Sequence, residues 1–175
     1  IDCFEQLAAR ELKRGVFTGF AYDELIRIYR EKGDWKKLIA LCEEAANAFP
    51  GDPALLRTLG EACLAGQRPE RALAAFREWA RVEPDDPACW CCLGQARLAL
   101  NDPAGAEADY RRAAALAPED EPCLLRRLSA LLSAGHPERA VAVLRRCMAI
   151  DPGHAPDGMA LGDLLLRLGR PDEAG

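Results

Sequence analysis

The chain has 175 residues, 50% hydrophobic and 29% charged, with a net charge of −5 and a pI near 5.2. Such a chain can bury a continuous core, and its evenly spread acidic excess offers no footprint for a polyanion such as nucleic acid. No apolar run approaches the roughly 18 residues that span a bilayer, and no signal peptide is visible, so no membrane span is expected in this stretch.

Residues 1–18 read as one amphipathic helix, with Ile1, Phe4, Leu7, Ala8 and Leu12 on its apolar face, serving as a cap or a degenerate repeat. From residue 19 a fixed step takes over. Pro50, Pro84, Pro118 and Pro152 are 34 residues apart, and so are Leu38, Ala72, Ala106, Ala140 and Ala174. Cys42, Phe76, Tyr110 and Leu144 keep the same step. A period of this size predicts stacked copies of one supersecondary unit. The units run 19–52, 53–86, 87–120, 121–154 and a truncated 155–175, with helix breaks expected at their Pro and Gly residues.

The third unit is the clearest. Trp90, Leu93, Arg97 and Leu98 recur at helical spacing, Gly94 leaves a spot without a side chain, and Asp102-Pro103 stops one helix and starts the next. Ala106, Tyr110 and Ala113 then share a face, and Pro118 ends the hairpin. The second unit repeats Leu56, Leu59-Gly60, Cys63, Ala72, Phe76 and Pro84; the first carries Tyr22, Leu25-Ile26, Tyr29, Leu38, Cys42 and Pro50. The fourth carries Leu125, Leu128-Ser129, Leu132, Ala140, Leu144 and Pro152, with one extra residue before its first helix. The fifth has Leu161-Gly162 and Leu165, then Pro171-Asp-Glu-Ala174, a near copy of the helix start Pro69-Glu-Arg-Ala72.

This pattern resembles the tetratricopeptide repeat, whose signature is Trp, Leu-Gly and Tyr on a first helix, then Ala, Phe and Pro on a second. The resemblance implies an all-α, right-handed superhelix (an α-solenoid) of about ten helices. Two residues depart from the pattern. Arg97 stands where the family has an aromatic, and its stem is expected to pack while its head reaches water. Trp79 stands where the sister units have Ala45, Ala113 and Cys147, so it must fill a void or splay the helices.

Eight cysteines raise the question of metal or disulfide. Cys42, Cys63 and Cys147 fall on repeating core positions, where free thiols act as small hydrophobes. Cys89, Cys91 and Cys92 form C-x-C-C in one helix, without the C-x₂-C pairs of tetrahedral zinc sites. No metal, obligatory disulfide or cofactor is expected, and the many unpaired thiols suggest a reducing compartment, the cytoplasm. His136 and His154 sit in turns without a nucleophile or carboxylate at helical spacing, so no catalytic constellation is visible.

In the resembled family, first helices line a concave groove that holds a peptide or helix of a partner. Carried over by position, the groove of this chain comprises Asp23, Glu24, Arg27 and Arg30; Arg57, Thr58 and Glu61; Cys91, Cys92 and Gln95; Arg126 and Arg127; and Met159, Asp163 and Arg167. The Lys and Asn of the subfamily that grips acidic chaperone C-termini are replaced by Ala54, Thr58, Ala88 and Cys92, so that clamp is missing. Arg57, Arg126 and Arg127 are placed to meet carboxylates of another ligand. The implied function is a non-catalytic scaffold for a protein or peptide partner. A regulatory module of a longer enzyme is the alternative. An RNA-binding helical repeat is a third reading, opposed by the low pI and by Asp23, Glu24 and Glu61. Finally, Leu161, Leu164, Leu165 and Leu168 form an apolar stripe. The stripe is expected to call for a further covering helix and, without one, to self-associate.

Overall fold

The computed structural model describes residues 2–14 and 20–173. Among the described residues every regular element is helical: ten α-helices and two short 3₁₀ turns. They group into two compact units, residues 1–84 and 85–175.

The first unit holds α1 (Asp2–Arg14), α2 (Phe20–Lys32), α3 (Trp35–Ala48), α4 (Pro53–Ala65) and α5 (Pro69–Val82). Asp-Pro pairs and their relatives set the starts. The Asp52 carboxylate accepts from the Leu55 amide at 3.0 Å, and Pro53 occupies the first turn, where its missing N–H costs nothing. Asp34 caps α3 the same way, accepting from the Lys37 amide. Pro50 and Pro84 each follow the residue that closes the preceding helix. Leu25, Leu38 and Phe76 are fully buried, and Tyr22, Cys42 and Cys63 nearly so.

Glycine at position 60 has a specific cause. A Cβ there would lie 2.1 Å from the Phe76 ring, so only a bare Cα lets α5 seat its aromatic against α4. Trp79 fills space: it is buried, tilted against Phe76 at 6.4 Å, and its indole N–H donates to Glu83 at 2.9 Å. On α1, Phe4 meets Phe20 edge-on at 6.1 Å and Ala8 is buried, but Leu7 stays 39% exposed, so the expected apolar face is only partly covered. Ile1 and the side chain of Leu12 lie outside the described residues, as do Ala174 and Gly175.

The second unit holds α6 (Pro87–Ala99), α7 (Pro103–Leu116), α8 (Glu121–Leu132), α9 (Pro137–Ile150) and α10 (Ala155–Arg167). Asp86 and Asp102 cap α6 and α7 through the amides of Ala88 and Gly105. The extra residue before the fourth hairpin is absorbed by a 3₁₀ turn, Pro118–Asp120. Tyr110, Leu125, Leu128, Leu132, Leu144 and Cys147 form one core that also takes in Leu164 and Leu165. Gly94 repeats the role of Gly60, with a Cβ there only 2.6 Å from the Tyr110 ring.

Two expectations are corrected. The head of Arg97 is only partly in water: its Nε lies 2.7 Å from Asp109, a carboxylate only 6% exposed, and it also meets the more exposed Asp102 at 3.1 Å. A carboxylate buried on α7 needs a countercharge, and Arg97 supplies one. The leucine stripe of α10 is not open either, because Leu164 and Leu165 are buried in the core and Leu161 and Leu168 pack partly against it.

Candidate functional site

Within the first unit, α2 and α4 lie side by side and leave a groove of about 770 Å³. From α2 the groove takes Asp23, Ile26, Arg27 and Arg30, which recur every three or four residues, together with Glu31. From α4 it takes Pro53, Ala54, Arg57, Thr58 and Glu61. Its guanidinium groups are paired. Arg27 donates to Glu24 at 2.7 Å and to Glu31 at 3.0 Å, and these carboxylates raise its pKa. Arg57 and Arg30, from different helices, converge on one carboxylate: Glu61 accepts from Arg57 Nε at 2.9 Å and from Arg30 at 3.2 Å. Thr58 turns its hydroxyl back to the Ala54 carbonyl at 2.8 Å, which leaves its oxygen lone pairs for acceptance.

A second groove, of about 450 Å³, lies within the second unit between α8 and α10. Arg126, Ser129, Ser133, Pro156, Ala160, Asp163 and Arg167 are among the residues that line it. Arg126 is committed inside the molecule. Its Nε donates to both oxygens of Asp157, at 2.8 and 3.0 Å, and its Nη2 donates to Asp151 at 2.9 Å. The Asp157 hydrogen bond is the first cause of its raised pKa. Arg126 therefore ties α8 to the start of α10 instead of waiting for a ligand.

The remaining expected groove residues divide. Cys91 is 7% exposed and packs in the hydrophobic core, so it does not face the groove; its thiol pKa is raised, first by burial. Cys92 is half-buried, and Gln95, with its amide oxygen turned toward α8, accepts from exposed Arg127. Sequence reasoning missed Ile26 and Glu31 as groove walls. Ile26 occupies the register of Gly60 and reads there as core, while Glu31 carries no positional signature.

Among the described residues, no group of three or more His, Cys, Asp or Glu is arranged to hold a metal ion, and no helix is long and apolar enough to cross a membrane.

Helical hairpins packed in series, with a groove between first helices inside each unit, make a helical-repeat architecture. The sequence profile of the Tetratricopeptide repeat matches residues 29–91 and 131–175, and a second profile of the same description matches 87–120. The chain belongs to the tetratricopeptide repeat family. No curated protein sequence matches it. Among solved structures, MamA 41-end from Desulfovibrio magneticus RS-1 superposes with a TM-score of 0.68 at 18% identity, covering 87% of this chain and 86% of that one. YrrB, described as a TPR protein with an unusual peptide-binding site, gives 0.64 at 15% identity over 95% and 86%. TTC0263, a thermophilic TPR protein of Thermus thermophilus, gives 0.62 at 23% identity over 92% and 88%. At these identities the likeness establishes the fold.

Proposed function

We propose that the chain is a non-catalytic interaction scaffold that holds an extended segment of a partner protein between α2 and α4. A carboxylate of the partner enters between Arg30 and Arg57. The observation that carries this is the convergence of those two guanidiniums on the single carboxylate of Glu61. A guanidinium presents several N–H donors in a fork that suits a carboxylate, and here two such groups from different helices meet at one point of the groove. Ile26, Pro53 and Ala54 supply apolar wall for the flanking residues of the segment. Membership of a repeat family supports the same reading, as does the peptide-binding site named for YrrB. Nucleic acid suits the groove poorly, because acidic Asp23, Glu31 and Glu61 alternate with its arginines and leave no continuous basic track for a row of phosphates.

The groove belongs to the hairpins assigned to 19–52 and 53–86, with 87–120, 121–154 and 155–175 continuing the series after a helix within 1–18. Five buried thiols suit a reducing compartment such as the cytoplasm. The test is an acidic-peptide array probed with the whole chain, followed by titration of the best peptide. Arg30→Glu with Arg57→Glu should abolish binding while helicity is kept, because exposed charges contribute little to stability. Undiminished binding by that double variant refutes the assignment.

A further inference from the structure

Trp79 stands where the sister repeats carry Ala45, Ala113 and Cys147, and it is 3% exposed, with its indole N–H held by Glu83. Packing against Phe76 accounts for its burial. It does not account for its second surface. The α2–α4 groove is lined by those two helices and, among the described residues, by one side chain of α5, which is Trp79.

The hairpins decide where along the groove the indole lies. Short turns fold α3 back on α2 and α4 back on α3, so α2 and α4 run the same way, and the Arg30–Glu61 contact joins their later turns. The next turn folds α5 back on α4, which brings the closing turns of α5, and Trp79 with them, to the first turn of α4. Pro53 and Ala54 of that first turn line the same groove. The groove therefore has unlike ends. Arg30, Arg57 and Glu61 make the later end polar, while Pro53, Ala54 and the indole wall the early end, with Asp23 as its charged neighbour.

We propose that the early end is a specificity pocket for one apolar side chain, two residues from the carboxylate that an extended partner segment places between Arg30 and Arg57. The pocket rests on the reading of this groove as a carboxylate site, and it makes Trp79 a specificity-determining residue. The spacing follows from helix and strand geometry. Pro53 precedes Arg57 by four helical residues, about 6 Å along the axis. An extended segment covers about 6–7 Å in two residues and returns its side chain to the same face. A second acid at that place would meet Asp23 and an apolar wall, so the pocket refuses it.

The probe is an array of short synthetic peptides with one fixed Glu in a Gly-Ser background. Each neighbouring position is occupied in turn by Leu, Phe, Asn, Asp or Lys. The whole chain is overlaid, and the leading peptides are titrated in solution by fluorescence anisotropy. At the position two residues from Glu, Leu should bind about tenfold more tightly than Asn, as partial burial of one Leu side chain implies, and Asp should be refused. Ala54→Gln, at an exposed position on the wall, should erase the Leu preference and leave the affinity for the Asn peptide unchanged. Trp79→Phe keeps a ring beside Phe76, deepens the pocket and should move the preference from Leu to Phe, a change that a purely structural role would not produce. Circular dichroism checks that both variants keep their helicity. Glu-dependent binding that is indifferent to every neighbouring residue overturns the pocket and leaves the groove assignment standing. So does a Leu preference that survives Ala54→Gln, or one that folded Trp79→Phe leaves unmoved. Binding that needs no Glu, or that ignores Arg30→Glu with Arg57→Glu, overturns the groove assignment and the pocket with it.

Discussion

Arg126 and Asp157 join α8 to the first turn of α10: one guanidinium nitrogen donates to both carboxylate oxygens, at 2.8 and 3.0 Å, and Asp157 is only 3% exposed. His154 Nδ1 lies 3.1 Å from the same carboxylate, which corrects the expectation that this histidine has no carboxylate at helical spacing. Removing this carboxylate takes the buried partner from Arg126 and His154 and leaves Arg126 only the more exposed Asp151, so Asp157→Ala should lower the unfolding midpoint. Equilibrium urea unfolding measures it. Charge reversal at Arg126 should also lower the midpoint, which makes that residue a probe of stability and a poor probe of binding.

Three glycines on equivalent turns should respond oppositely to one methyl group. At Gly60 and Gly94 a Cβ would press within 2.6 Å of a buried ring, an overpacking cost of roughly 1–3 kcal/mol against a helix gain of under about 1. Gly60→Ala and Gly94→Ala should therefore be net destabilising by about 1–2 kcal/mol. Gly162→Ala meets open space and should stabilise by about 0.5–1 kcal/mol. Thermal melts of the three variants check the sign.

The thiols should label in a sequence set by burial. Cys3 and Cys123 are exposed and Cys92 is half-buried, while Cys42, Cys63, Cys89, Cys91 and Cys147 are buried. Burial pushes the Cys42 and Cys89 thiols up to about 12, so almost no thiolate is present at neutral pH. Timed alkylation with mass spectrometry should modify Cys3 and Cys123 at least about 100-fold faster than the buried five, with the difference erased in denaturant.

Asp102 connects the cap of α7 to pH. Its pKa is lowered from 3.8, first by the Gly105 amide and then by Arg97. A group with a depressed folded pKa stabilises above its unfolded value, and that stability is lost as pH falls through the folded value. Unfolding midpoints should therefore drop as pH is lowered below about 4, and Asp102→Asn should flatten this limb. An unchanged slope in Asp102→Asn would show that the cap does not couple to pH.

Sequence alone determined the helical hairpins and their breaks. Pro and Gly act on the backbone of their own neighbourhood, and a 34-residue step repeats that local instruction, so Asp52-Pro53 or Pro118 is readable without knowing any contact. The family and the core positions Leu25, Phe76 and Tyr110 followed from the same periodicity. Tertiary structure decided which charged residues face outward. Arg57 and Arg126 occupy equivalent places in their repeats and both line grooves, yet Arg57 pairs with Glu61 of its own helix while Arg126 is tied to Asp157, thirty-one residues away. Cys91 shares that place and is buried, and Arg97 turns to Asp109 on the neighbouring helix. A charged side chain is long and its partner is chosen by through-space distance, which no repeat register encodes. Which helix faces have an occupant is decided the same way, by what packs beside them in space.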